Sequence, residues 1–316
     1  MVTNLAVGSF SPSVLLRVAR RTGRLLEQGL DVEEVSVSSS PAQFRSLFDG
    51  GLDAALTSPD NVLAYRYIPD NPLGRTGDVK IISALDRGLG LALYGRPGQL
   101  PHQLRSGARL GVDVPTSGFA FAMYALLESL GFIRDDFEIV ALGSTPQRLD
   151  ALLAGRCDAT MLNAGNELLA EWAGCQVFAR VADVTPPYLG TVLAVAGTEK
   201  LEPVRLLNVG LKTTIQSICS GKLDDAVIEE AASALALPAM LARRYLQRLK
   251  DPDEGLIPGS AVDPVSLATV VNLRRRYQRS AVDAVDLLAP ALIAGSGIVA
   301  IEAPDLGVPA FSPTAE

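Results

Sequence analysis

The sequence predicts an α/β fold of two lobes, each a mainly parallel sheet flanked by helices, followed by a helical C-terminal tail. Three observations carry that prediction. Short apolar strands alternate with amphipathic helices as far as Gly197, the pattern of parallel strands joined by helical crossovers. The stretch Ser40–Tyr65, SPAQFRSLFDGGLDAALTSPDNVLAY, returns without a gap as Thr145–Ala170, TPQRLDALLAGRCDATMLNAGNELLA, at an offset of 105 residues. Beyond Thr198 the apolar spacing becomes helical throughout.

In order, NLAVGS is a short apolar strand, and SVLLRVARRTGRLLEQG places Val14, Leu15, Val18, Leu25 and Leu26 at helical spacing before a stop at Gly29. DVEEVSVSS alternates as a strand does. AQFRSLFDG is a short helix with Phe44, Leu47 and Phe48 inward, and LDAALTS is a strand. The second half repeats the order with ARLGVDV, GFAFAMYALLESLGF, FEIVALGS, PQRLDALLAG and CDATMLN. At the 105 offset Pro41 falls on Pro146, Gly50 on Gly155, Asp53 on Asp158, Ala54 on Ala159 and Asn61 on Asn166, while Leu5 matches Leu110 and Val7 matches Val112. A generic βαβ likeness does not keep proline, glycine, Asp-Ala and asparagine at one spacing, so the two halves read as a pseudo-repeat. KIISAL and GLALYG are further strands, one of them crossing between lobes, and VADVTPPYLGTVLAVAG makes the return crossing. This divides the chain into 1–85 (first part of lobe 1), 86–188 (lobe 2) and 189–316 (return to lobe 1 and helical tail). LEPVRLLNVGLKTTIQSICSG, DDAVIEEAASAL, PAMLARRYLQRLK and DPVSLATVVNLRRRYQRS supply the tail helices between proline and glycine breaks.

Composition excludes several function classes. With 316 residues, 48% of them apolar, the chain is long enough for two domains and a large core, as a soluble globular protein. Its 28 basic residues against 35 acidic ones, net −7, disfavour a nucleic-acid backbone or an anionic membrane as partner. Cys157, Cys175 and Cys219 are odd in number and widely spaced, so they read as small core residues, with neither a disulfide framework nor a zinc site. The opening MVTNLAVGSFSPS lacks the charged and apolar regions of a secretory leader. No apolar stretch approaches the ~20 residues that span a bilayer. The chain as it stands reads as cytoplasmic, and as extracytoplasmic if a leader has been removed.

The segment LLRVARRTGRLLEQGLDVEEVSVSSSPAQFRSLFDGGLDAALTSPDNVLAY resembles the opening lobe of the ABC-transporter solute-binding proteins, in particular their nitrate, sulfonate, taurine and thiamine-pyrimidine group. The shared features are a helix ending in glycine, a GLDVE strand entry at Gly29–Glu33 and a G-x-x-D-A-A strand at Gly50–Ala55. The match continues through GVDVPTSGFAFAMYALLESLGF to about Gly197 and fades over the tail. It implies a two-lobed, type II periplasmic-binding-protein-like fold that clamps a small molecule by hinge closure, with an ABC importer permease as partner.

In open parallel sheets a ligand lies beyond the carboxyl ends of the strands. The loops there are GSFSPS, SSSP and TSPDN in the first lobe and DVPTSGF, GSTP and LNAGN in the second. Their hydroxyls and amides cap helix N-termini, whose free N–H groups and partial positive charge also suit a polar or anionic ligand. The candidate contacts are Ser11, Ser39, Ser40, Ser58 and Asn61 from one lobe and Thr116, Ser117, Asn163 and Asn166 from the other. Phe10, Phe119 and Tyr188 are candidate walls. Arg87, after the crossing strand, is a candidate partner for a ligand carboxylate, sulfonate or phosphate. The basic run LRRRY, Leu273–Tyr277, reads as a solvated face or a lobe contact.

Catalysis finds little support. His102 is the lone histidine and sits in a proline-led turn, which leaves a serine or cysteine hydrolase without its base and makes a histidine metal site untenable. No catalytic residue, metal or cofactor is expected. The cysteine-rich motif of the yeast-type pyrimidine synthases on this fold is absent. Two functions follow. The favoured one is binding of a small polar or anionic organic molecule in an interlobe cleft, as the solute-binding component of an ABC-type uptake system. The alternative is a cytoplasmic enzyme or ligand sensor on the same fold, resembling a decarboxylase, dehydratase or pyrimidine synthase and working through Asp60, Asp86 or Asp113.

Overall fold

The computed structural model describes residues 2–278, 288–293 and 295–300. The first half runs β1 (Thr3–Ser9), α1 (Val14–Arg21), β2 (Leu30–Ser36), α2 (Ser40–Phe48), β3 (Ala54–Thr57), α3 (Pro59–Tyr67) and β4 (Val79–Asp86). The second runs β5 (Ala92–Pro97), β6 (Arg109–Val112), α4 (Gly118–Ser129), β7 (Glu138–Ala141), α5 (Thr145–Leu153), β8 (Ala159–Leu162), α6 (Asn166–Trp172) and β9 (Cys175–Arg180). A short α7 (Val181–Val184) leads to β10 (Thr191–Ala196), and the tail is α8 (Leu201–Cys219), α9 (Asp224–Ala234), α10 (Ala239–Lys250) and α11 (Pro264–Tyr277).

Among the described residues the strands form two five-stranded sheets, β2-β1-β3-β10-β4 and β7-β6-β8-β5-β9. In each sheet the first three strands are parallel, and the fourth runs against both of its neighbours. That reversed strand is the one entering from the other half: β5 directly follows the crossing at 87–91, and β10 makes the return. The duplication is therefore architectural. α5 and β8 lie 105 residues beyond α2 and β3 at both ends.

The strand register corrects one part of the repeat. Val7 pairs with Ala54, and its counterpart facing Ala159 is Leu110 rather than Val112. The first strands are thus related by 103 residues, and α4, longer than α1, takes up the difference. The register also explains the repeated aspartate. Asp53 Oδ2 accepts from Ala6 N at 2.8 Å and Asp158 Oδ2 accepts from Arg109 N at 2.8 Å, so each carboxylate joins the start of the third strand to the first. Two other local expectations shift. The helix read from Ser13 to Gly29 stops at Arg21, because Gly23 and Gly29 have positive φ, and only a 3₁₀ turn at Leu26–Gln28 follows. The edge strand β9, half exposed, is added to the sequence reading.

One apolar core runs from α2 and α3 through β4 and β10 to α4 and α11. A second packs α1, α8, α9 and α10 on the opposite face of the first sheet, and a small third covers the outer face of the second. The tail also reaches the second half, with α10 against α6 and α11 wedged between α3 and α4.

Candidate functional site

Strands β1, β3, β6 and β8 end toward one another, and the loops leaving them line a cavity of about 130 Å³. Its floor is made by the two crossings, with Asp86 and Leu89 from one and Gly190 and Thr191 from the other, and Tyr245 and Leu249 of α10 close one side. The crossings touch so closely that a Cβ on Gly190 would stand 2.2 Å from Gly88 N and 2.4 Å from Asp86 Oδ1, so only glycine fits there. Leu89 and Ala164, both lining the cavity, take left-handed conformations at φ 49° and 53°, and Ala164 N donates to Leu89 O at 3.0 Å. Side chains in that region cost roughly 1–2 kcal/mol each. Such strain persists where the surrounding packing imposes it and gathers at ligand sites.

Of the sequence candidates, Phe10, Ser11, Ser58, Asn61, Ser117, Phe119 and Asn163 line this cavity. Ser58 and Ser117 also act as caps, accepting from Asp60 N at 3.3 Å and Ala120 N at 3.4 Å. The others lie outside the lining. Ser39 caps α2, accepting from Ala42 N. Ser40 is buried one layer behind, with its amide donating to Asp113 Oδ2 at 3.2 Å. Thr116 is exposed and contributes a backbone carbonyl to Arg274. Asn166 donates to Asn163 O at 3.1 Å and Ser11 Oγ at 3.4 Å, tying the two lobes behind the wall. Tyr188 is buried, with burial and the nearby Asp60 and Asp86 charges pushing its phenol up. Arg87 is absent from the lining, its amide donates to Gly255 O at 2.9 Å, and its charge acts on Asp263.

Three charged residues in the lining were not singled out as ligand contacts. Asp86 is fully buried, which pushes its carboxyl up to about 6 against the pull of Thr191 and of the Gly88 amide donating to Oδ1 at 2.8 Å. Burial likewise raises Asp113, and its Oδ1 has no hydrogen-bond partner among the described residues. Arg148 is buried, and burial lowers its guanidinium to about 10. Its Nε donates to Met161 O at 3.2 Å, Nη1 to Gly143 O at 2.6 Å and Nη2 to Thr145 Oγ1 at 3.0 Å. The repeat could have flagged it. Arg148 is the counterpart of Gln43, which donates to Leu56 O at 3.2 Å in the same way.

At its second residue the LRRRY run is the lobe contact, and not the solvated face, of the two readings. Arg274 is buried on α11 and grips Asp60 through Nε–Oδ1 and Nη2–Oδ2 contacts of 2.6 Å each. The same guanidinium donates to Thr116 O at 3.0 Å and lies 4.9 Å over the Phe121 ring. The pair therefore joins α3 of the first half to the β6–α4 loop of the second. A Cβ on Gly118 would stand 2.5 Å from Asp60 Cβ, so the helix start must be glycine for this approach.

Among the described residues no group of three or more His, Cys, Asp or Glu side chains could hold a metal ion, and no helix is long and apolar enough to cross a membrane. His102 is exposed in a 3₁₀ turn. Cys157 and Cys175 are buried, as core packing predicts, while Cys219 is only half-buried.

No protein-family model matches the chain, and neither does any curated protein. Solved structures do. A ligand-binding component of an ABC-type import system from Staphylococcus aureus, with zinc bound, matches at TM-score 0.68 and 14% identity over 87% of this chain and 92% of that one. The periplasmic nitrate-binding protein NrtA from Synechocystis PCC 6803 matches at 0.67 and 10% identity over 89% and 84%. The alkanesulfonate-binding protein SsuA from Xanthomonas axonopodis pv. citri, bound to MOPS, matches at 0.65 and 15% identity over 86% and 90%. At these identities the likeness is one of architecture, and with the duplicated five-stranded sheets it establishes that the chain adopts the two-lobed periplasmic-binding-protein fold.

Proposed function

We propose that this chain captures a small polar organic molecule in the cavity between its two sheets, as the solute-binding component of an ABC-type uptake system working outside the cytoplasm with a membrane permease. The lobes that close on the solute are residues 1–85 with the chain from 189 onward, and residues 86–188. Ser11, Ser58, Asn61, Ser117 and Asn163 supply directed polar contacts, and Phe10 and Phe119 supply apolar walls. The observation that carries this reading is the cavity itself, built from the equivalent strand-end loops of both halves and floored by both crossings. Apolar walls with a few buried polar groups are the usual lining of a small-molecule site. The three solved structures named above are a ligand-binding component and two binding proteins, which favours capture over chemistry.

Native mass spectrometry of the full chain, incubated with a size-filtered small-molecule extract of its source cells, tests the proposal. The wild-type chain is expected to retain a small-molecule adduct. Ser11→Trp, which fills the cavity from the β1–α1 loop, is expected to lose it. No adduct on the wild type, or equal adducts on both, would overturn the assignment.

A further inference from the structure

Beside the hydroxyls of Ser11, Ser58 and Ser117, the cavity presents acceptors that lack partners. Asn61 and Asn163 are both more than nine-tenths buried and both line it. Asn61 Nδ2 is engaged by Thr57 Oγ1 at 3.0 Å and Asn163 Nδ2 by Gly88 O at 3.0 Å. Neither Asn61 Oδ1 nor Asn163 Oδ1 accepts a hydrogen bond among the described residues. The one cation in the lining, Arg148, gives three of its five N–H groups to Met161 O, Gly143 O and Thr145 Oγ1, and its charge already acts on Asp113. Against these stand Asp113, with a free and buried Oδ1, and the fully buried Asp86.

Two of the helix N-termini, which would otherwise attract an anion, already hold carboxylates of this chain. Asp113 Oδ2 accepts from the first amide of α2 at 3.2 Å, and Glu34 Oε1 accepts from Ser13 N, the cap of α1, at 2.5 Å. An anionic ligand would meet the buried Asp86, the half-buried Asp113 and the amide oxygens, with a single cation, Arg148, already acting on Asp113, whereas a cationic nitrogen would satisfy the acceptors that now lack partners.

We infer that the ligand carries a protonated or multiply N–H-bearing nitrogen, of amine, amidine or guanidine type, that donates to Asp113 Oδ1 and to the amide oxygens of Asn61 and Asn163, with Asp86 supplying a second negative charge. This rests on the solute-binding reading and narrows it, setting aside the anionic class that the loop chemistry alone admits.

The test uses shape-matched probes of opposite charge on the full chain: benzamidinium against benzoate and acetamidinium against acetate, with MOPS as a sulfonate, read by calorimetry and thermal shift. The amidinium member of each pair is expected to bind, and its carboxylate partner to give no shift. Asp113→Asn should weaken benzamidinium about tenfold or more, the scale of a charge-assisted hydrogen bond. Asp86→Asn should weaken it as well, so the test survives a folding defect in either variant, while Arg87→Ala, outside the cavity, should leave it unchanged. Tighter binding of benzoate, acetate or MOPS would overturn the charge inference and leave solute capture standing. Binding of no probe at all would also overturn the inference, with solute capture then judged by the adduct experiment alone.

Discussion

Replacing Arg274 with methionine strips Asp60 of both its charged hydrogen bonds while keeping most of the apolar volume. The Arg274 and Asp60 side chains are 2% and 0% exposed, and two parallel 2.6 Å contacts join them. At a charge separation of ~4 Å and an effective dielectric near 20, the attraction is about 4 kcal/mol. Much of that offsets the desolvation of the two ions, so the intact pair adds little net stability. Removing one partner is different, because the other charge stays buried and uncompensated at a cost of about 3–5 kcal/mol. Arg274→Met and Asp60→Asn are each expected to lose that much in urea unfolding followed by circular dichroism. The double variant strands no charge and should recover at least about 2 kcal/mol of the summed losses. Single losses below about 1 kcal/mol, or simple additivity in the double variant, would refute the claim that this pair is a buried strap between the halves.

The repeated carboxylates should behave alike: Asp53→Ala and Asp158→Ala each leave a strand amide, Ala6 N or Arg109 N, without its acceptor and are expected to cost about 1–2 kcal/mol by the same unfolding assay. Asp86 should make stability fall with rising pH. Its folded value of about 6 lies above the ordinary 3.8, so the folded state holds the proton more tightly. Stability therefore drops between about pH 4 and 6, by about 3 kcal/mol. Asp86→Asn should match the wild type at pH 4 and exceed it at pH 7 in melting experiments; a variant less stable at pH 7 would contradict the assignment. Asn61→Ala should weaken benzamidinium by about 1 kcal/mol in calorimetry with little change in melting temperature. Asn166→Ala, which lies behind the wall, should instead lower stability by about 1 kcal/mol and spare affinity.

Much of this architecture is visible in local sequence because local chemistry determines it. The ungapped match of Ser40–Tyr65 to Thr145–Ala170 survives as two helices and two strands with one shared spacing, since proline starts, glycine stops and small-residue strands are fixed by backbone geometry. The loops after the strands identified seven cavity residues for the same reason, being the hydroxyl and amide caps of helices that converge. What escaped depends on long-range contact. Arg274 looks like its neighbours Arg275 and Arg276 in a basic run, and only the approach of Asp60, 214 residues away in sequence, makes it a buried strap. Arg87 looks like an anion ligand because it follows the crossing strand, yet its amide donates to Gly255 O in the tail and it is absent from the lining. The equivalence of Asn61 and Asn166 holds in position and fails in role. The contact to Ser11 ties Asn166 into the junction between lobes.

The central claim is that two duplicated lobes close on a small molecule, and solution scattering of the full chain tests it most directly. The chain is measured free and then saturated with the extract fraction that gives the mass-spectrometric adduct. Hinge closure predicts a smaller radius of gyration and a shortened pair-distance distribution in the loaded state. A loaded chain whose scattering curve superposes on that of the free chain would contradict the account.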